Sequence, residues 1–172
     1  AIGDESMNVH ALGVLPFFEM LRRESVQQGQ PFHLAVLCGS MIIIPACLKE
    51  QLKQLVEQKD RIVFQPFKKI DDYVKVEMKG NHQDIIKAVS TLFEQEDIQM
   101  LIGTKSLLGE GWDSPCVNTL ILASFVGSFM LSNQMRGRAI RTYVKDPDKV
   151  SHIWHLVCIP PHKGIINRRQ YI

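Results

Sequence analysis

The 172-residue chain lacks the features that define several common classes of protein. It contains few cysteines and none of them shows CxxC spacing, which argues against a zinc ribbon or a disulfide framework. The four are Cys38, Cys47, Cys116 and Cys158. Their neighbours are apolar, as is typical of free thiols in a reducing compartment such as the cytoplasm. The six histidines show no metal-ligand spacing, so we expect no metal ligands in this chain.

A strong excess of one charge is also missing. Twenty Lys and Arg are balanced by eighteen Asp and Glu, for a net charge of +2. A protein that holds nucleic acid by charge alone is far more basic, so any such contact must be local. The N-terminus does not have the layout of a signal peptide, and the chain does not begin with Met, which indicates a fragment.

One uncharged stretch, residues 114–135, has the 22 positions needed to span a bilayer. Polar and turn-forming residues interrupt it, among them Pro115, Asn118 and Gly127. Its centre is typical of a buried strand followed by a turn. We therefore expect no membrane-spanning helix.

Short β-rich apolar runs alternate with longer amphipathic patterns. The strand candidates are residues 33–38, 61–67, 73–78, 99–103, 117–123 and 153–159. Apolar residues at helical spacing predict helices over 14–25, 47–59 and 83–96. Near-continuous apolar strands between helices predict a doubly wound, mostly parallel α/β sheet with helices on both faces. We expect one domain over 1–172, in which 160–172 is a tail leading to a further region and the apolar run 41–47 is a loop packed on another lobe.

The segment SNQMRGRAIR, residues 132–141, carries three arginines in six positions. If it is helical, Gln134, Gly137, Arg138 and Arg141 lie on one stripe and Arg136 points the opposite way. Two guanidiniums one turn apart, with a glycine between them, suit a multiply charged anion such as a phosphate chain. The alternative is a solvated basic face.

A polar loop, TKSLLGEGWDSPCVNTLI, follows the predicted strand 99–103. Gly109 and Gly111 permit tight backbone geometry, and the carboxylate of Asp113 can accept from a ribose hydroxyl or pair with an arginine. The alternative is an ordinary connection in which Asp113 caps a turn. Trp112 either stacks on a base or packs on the domain, and we favour packing.

These two segments together resemble motifs V and VI of superfamily 2 helicases. IGTKSLLGEGWDSPCVNTLI is similar to the family pattern T-x-x-x-x-x-G-x-D, and QMRGRAIR is similar to Q-x-x-G-R-x-x-R. LAVLCGS resembles the motif IV strand and loop, and the resemblance covers roughly residues 10–158. It implies a C-terminal RecA-like domain, the second of two lobes that clamp ATP.

The resemblance also assigns roles to residues. It implies arginine fingers positioned by a glutamine, namely Arg138 and Arg141 with Gln134. It implies nucleotide contacts from Gly111, Asp113 and Gly137, and contacts with the nucleic-acid backbone from Gly39, Ser40, Thr104 and Lys105. Such backbone contacts position a strand without specifying its sequence.

The chain has no G-x-x-x-x-G-K-[ST] loop, so we expect the N-terminal lobe of the same protein to hold most of the ATP and its Mg²⁺. We therefore expect a cytoplasmic motor lobe of a helicase or translocase that hydrolyses ATP only as part of the larger enzyme. Its partner is DNA, with RNA as the alternative, because motif VI begins with Gln. The competing hypotheses are a non-catalytic nucleic-acid-binding or scaffolding module and, less favoured, a nucleotide-sugar transferase domain.

Overall fold

The computed structural model describes residues 13–29, 31–39, 41–80, 82–104, 112–123 and 129–156. Its contacts divide the chain into two compact units, Ala1–Ser114 and Pro115–Ile172. The tail predicted for 160–172 lies outside the described residues. One domain over 1–172 stays a prediction.

The described part of the first unit contains five strands and three α-helices. In chain order they are α1 (Val14–Gln27), β1 (Leu34–Cys38), β2 (Met41–Pro45), α2 (Lys49–Leu55), β3 (Ile62–Phe67), β4 (Ile70–Met78), α3 (His82–Glu94) and β5 (Met100–Gly103). Short 3₁₀ turns, Ala46–Leu48 and Lys59–Arg61, precede α2 and β3. The predicted helices over 14–25 and 83–96 are confirmed, and the one predicted over 47–59 is shorter.

The sheet of this unit is mixed, and most of its pairs are antiparallel. The strand order is β3-β4-β2-β1-β5, and only β1 and β5 pair in parallel. The prediction of a RecA-like, doubly wound, mostly parallel sheet is therefore wrong. Two residues link β1 to β2 and two link β3 to β4, and connections that short close hairpins, whereas a parallel crossover needs a dozen residues or more.

The source of the error is the apolar run after Gly39. We interpreted it as a loop, but it forms β2, the central strand of the sheet. Ile43 packs into one hydrophobic cluster, while Ile42 and Ile44 pack into another, because successive side chains of a strand point to opposite faces. The run is apolar because both faces of β2 are buried.

Helices cover both faces of this sheet. Buried residues of α2 and α3, including Leu52 and Leu92, pack on one face. Phe18 of α1 packs on the other face, edge-on to Phe67 and Tyr73 with ring centroids 5.9 and 4.9 Å away. Each such aromatic pair stabilises the fold by about 0.5–1.5 kcal/mol beyond the area that it buries.

The second unit is smaller and contains β6 (Thr119–Leu122), α4 (Phe129–Ala139) and β7 (His152–His155). The strands β6 and β7 pair in parallel, with Thr119 opposite His152 and Leu122 opposite His155. β6 falls within the predicted run 117–123, and β7 overlaps the predicted run 153–159 but begins one residue before it. Among the helices in the described ranges, none has the length and apolar character needed to cross a membrane.

Candidate functional site

Two of the residues assigned to nucleic-acid binding follow neighbouring strand ends in the first unit. The parallel register places Leu37 of β1 opposite Gly103 of β5, so Gly39 and Thr104 come just after these ends at one edge of the sheet. Neighbouring strands are about 4.8 Å apart. Ser40 and Lys105, which share this assignment, lie outside the described residues.

The backbone at Gly39 explains why glycine stands there. Its φ is +55°, the left-handed conformation that two-residue hairpin turns require and that side chains disfavour. An added Cβ would meet nothing within 4 Å, so the conformation alone favours glycine, and space is left for a ligand to approach the backbone. Thr104 is half-buried and already takes part in an interaction with its surroundings.

The segment 112–114 is held on α3 by the two residues that flank Asp113. The Trp112 indole Nε1 donates to Ser90 Oγ at 2.8 Å, and its ring lies 6.3 Å from that of Phe93. Ser114 is fully buried and its hydroxyl donates to Glu94 at 3.2 Å. The interpretation of Trp112 as a packing residue is therefore confirmed, because only 9% of its surface is exposed.

Asp113 is exposed between these two buried neighbours. The alternation of buried, exposed and buried residues is that of an extended chain lying on a surface. The carboxylate is thus presented to solvent from a fixed backbone, and it also takes part in an interaction within the protein. Gly111, the residue paired with it in the expected nucleotide contact, lies outside the described residues.

The arginine segment is helical only in part. Helix α4 ends at Ala139, so Arg138 belongs to its last turn and Arg141 lies beyond it. The amide of Arg141 still donates to the carbonyl of Arg138 at 3.4 Å, which keeps the two backbones within one turn of each other. The single helical stripe that we predicted therefore stops before Arg141.

The buried side of α4 is formed by Met135 and Ala139, four residues apart. Gln134 and Arg136 are exposed, while Gly137 and Arg138 are half-buried. Arg136 and Arg138 thus differ in their exposure, whereas Gln134, which the stripe groups with Arg138, is exposed like Arg136. Both Arg138 and Arg141 take part in interactions within the protein.

Lys149 is a residue that the sequence reasoning missed. Its ammonium donates to three backbone carbonyls, those of Pro115 at 2.7 Å, Val117 at 2.9 Å and Ala139 at 3.0 Å. Ser151 Oγ donates to the same Ala139 carbonyl at 2.6 Å. The last carbonyls of a helix have no partner within the helix and carry partial negative charge, so this cation stabilises the end of α4 that carries the arginines.

The sequence offered no signal for this role. Lys149 lies ten residues beyond the end of α4, so neither helical spacing nor a capping pattern links the two.

The described part of the chain contains no group of three or more His, Cys, Asp or Glu side chains that could hold a metal ion. Asp113 is the one carboxylate that the resemblance assigns to a nucleotide contact. That another lobe holds the Mg²⁺ and most of the ATP stays a prediction.

Comparison with known proteins gives no relative: no family model, curated protein or solved structure matches the chain at a significant level.

Proposed function

We propose that this chain is a lobe of an ATP-dependent helicase or translocase that contacts a nucleic-acid backbone and supplies arginines to ATP hydrolysis. The observation that carries the proposal is the parallel pairing of β1 with β5, since it brings Gly39 and Thr104 to one strand-end edge. Ligands of open α/β sheets collect at the carboxyl ends of parallel strands. The sequences around Asp113 and Arg138 resemble motifs V and VI, and this resemblance supports the part of the proposal that concerns ATP.

The proposal includes the cytoplasm as the location and DNA as the first choice of nucleic acid. Free thiols at Cys38, Cys47 and Cys116 support a reducing compartment. The small net charge supports weak binding through a few phosphate contacts.

A second candidate function is a nucleic-acid-binding module without catalysis. The mostly antiparallel sheet favours it, because that arrangement departs from the architecture that the helicase resemblance implied. A motor lobe needs a second lobe to bind nucleic acid tightly, whereas a stand-alone binding module does not. The two candidates therefore predict different affinities of this chain alone for DNA.

Fluorescence anisotropy of labelled single-stranded DNA, titrated with this chain over a series of salt concentrations, separates the two. The motor lobe predicts weak binding that falls steeply with salt, whereas tight binding that survives high salt would establish the stand-alone module. Thr104→Ala should weaken binding about fivefold, the equivalent of one hydrogen bond. Thr119→Ala in β6 is the matched control. No detectable binding at low salt would contradict both candidates.

Arginine variants test the catalytic half in the protein that joins this chain to a nucleotide-binding lobe. Arg138→Ala or Arg141→Ala should remove most DNA-stimulated ATP hydrolysis, by about 10³-fold, while ATP affinity changes less than about tenfold. Arg136→Ala should leave the rate nearly unchanged, because Arg136 lies two residues from Arg138 in α4 and so projects from the opposite side of the helix. Equal losses in all three variants would reduce the segment to a basic patch whose charge matters only in aggregate.

A further inference from the structure

A cysteine and a histidine meet at the edge of the first sheet opposite to Gly39 and Thr104. His33 directly precedes β1, and Cys47 lies in the 3₁₀ turn that follows β2. Because β1 and β2 are antiparallel, the start of one strand lies beside the end of the other. The Cys47 Sγ is 3.8 Å from the His33 Nε2, within the range of a hydrogen bond to sulfur.

The backbone around His33 fixes its position. The His33 amide donates to the Gln99 side-chain oxygen at 2.8 Å, and its carbonyl accepts from the Gln99 amide at 3.0 Å. The ring Nδ1 lies 2.8 Å from the carbonyl oxygen of Asp97. The imidazole is therefore held by the segment that leads into β5.

These contacts also decide which ring nitrogen carries the proton. A carbonyl oxygen accepts but cannot donate, so Nδ1 of His33 must be the protonated nitrogen in its bond to Asp97. In the neutral ring Nε2 is then the acceptor, and the thiol of Cys47 donates to it. A nucleophile, a base within reach and a third group that orients the base are the parts of an activated cysteine.

Exposure distinguishes Cys47 from the other described thiols. Cys47 is exposed, whereas Cys38 and Cys116 are half-buried. An incoming reagent can therefore reach the sulfur that faces the imidazole. Cys158 lies outside the described residues.

We propose that Cys47 is a site of reversible S-thiolation by low-molecular-weight disulfides, with His33 as its general base. The Cys47 sulfur attacks one sulfur of the disulfide, its proton passes to His33 Nε2, and the disulfide bond breaks. A mixed disulfide on Cys47 forms, and the departing thiolate takes the proton from the imidazole. One S–S bond is exchanged for another, so no further oxidant is consumed. The proposal is independent of nucleic-acid binding.

The test exposes the folded chain to glutathione disulfide and follows modification by intact mass and peptide mapping. We expect Cys47 to acquire the glutathionyl group first, and Cys47→Ser to remove that fast phase. His33→Gln should slow it about tenfold or more, because the amide can still donate to the Asp97 carbonyl but offers no basic nitrogen. His82→Gln, in α3, is the matched control and should react as the unaltered chain does.

A rescue experiment separates base catalysis from a structural role of His33. In His33→Ala, added imidazole should restore part of the lost rate at Cys47, while leaving Cys38 and Cys116 unchanged. Circular dichroism checks that both His33 variants are folded. Equal reactivity of Cys47 and Cys38, an unchanged rate in His33→Gln, or no effect of imidazole on folded His33→Ala would each overturn the proposal.

Discussion

The two compact units bury their strands in different ways. In the first unit, helices cover both faces of a five-stranded sheet, and the central residues Ile42, Ile43 and Ile44 are at most 1% exposed. In the second unit, the register partners Ile121 and Trp154 of a two-stranded parallel sheet are 51% and 59% exposed. Parallel strands are usually covered on both faces, so the exposure of β6 and β7 is unusual. From these differences in exposure we infer that apolar burial stabilises mainly the first unit, and that the second unit depends more on specific hydrogen bonds.

That contrast predicts opposite responses to two kinds of substitution. Removal of apolar volume should damage the first unit most, and removal of a hydrogen-bonding cation should damage the second.

The largest effect is expected from Phe18→Ala in α1. Phe18 is fully buried and contacts Phe67 and Tyr73, so its loss leaves a cavity under α1 and should lower the free energy of unfolding by about 3–5 kcal/mol. Urea denaturation followed by circular dichroism measures the change. Phe129→Ala is the control, because Phe129 is 81% exposed, and a comparable loss there would contradict the burial argument.

A smaller, localised effect is expected from Lys149→Met. The substitution keeps an unbranched side chain but leaves three carbonyls without their charged donor, which should lower the stability of the second unit by about 2–3 kcal/mol. Hydrogen exchange read by mass spectrometry should show faster exchange in β6, α4 and β7. Exchange in β1 and β2 should not change.

The exposed Lys145 provides the control for that experiment. Lys145→Met removes the same charge without touching the three carbonyls bound by Lys149. If it accelerated exchange to the same extent, net charge rather than the hydrogen bonds would explain the result.

The smallest effect at neutral pH is expected from Tyr73→Phe, which removes two long hydrogen bonds of 3.4 Å and should cost less than about 1 kcal/mol. Burial raises the pKa of Tyr73 above its usual 10.0. The folded chain therefore retains this proton more strongly than the unfolded chain. The resulting stability is complete below about pH 10 and is lost as the pH rises through the folded pKa.

Urea denaturation of the two chains between about pH 9 and pH 11 measures this loss. Stability should fall less steeply with pH in Tyr73→Phe than in the unaltered chain. Parallel curves for Tyr73→Phe and the unaltered chain would show that Tyr73 does not contribute to the alkaline transition.

The sequence was sufficient to predict most of the helices and strands, but it was not sufficient to predict the topology of the sheet. Amphipathic spacing located α1 and α3 because each buries a single face. The run 41–47 was misread because a strand buried on both faces shows no alternation, so only its length and β-branched residues distinguish it from other apolar segments. The predicted runs 61–67 and 73–78 are separated by five residues, which is too short for a parallel crossover, so this spacing was a usable signal for antiparallel pairing.

Site residues could be predicted where their position follows from neighbouring residues in the sequence. They could not be predicted where their position depends on hydrogen bonds to residues distant in the sequence. Gly39 and Thr104 could be placed from the strand ends that precede them. The partners of Trp112 and Ser114 lie 22 and 20 residues earlier in the chain, and those of Lys149 are scattered over 34 residues. No pattern of spacing reports such pairs, since they arise only after the helices have packed.

The attachment of residues 112–114 to α3 has a consequence for ligand affinity. A carboxylate on a loose loop must lose backbone entropy when it binds, and that loss weakens association by about 1–2 kcal/mol for each residue ordered. At Asp113 the backbone is already immobilised by the buried side chains of Trp112 and Ser114. The segment is preorganised, so a partner that engages this carboxylate does not incur that loss of backbone entropy.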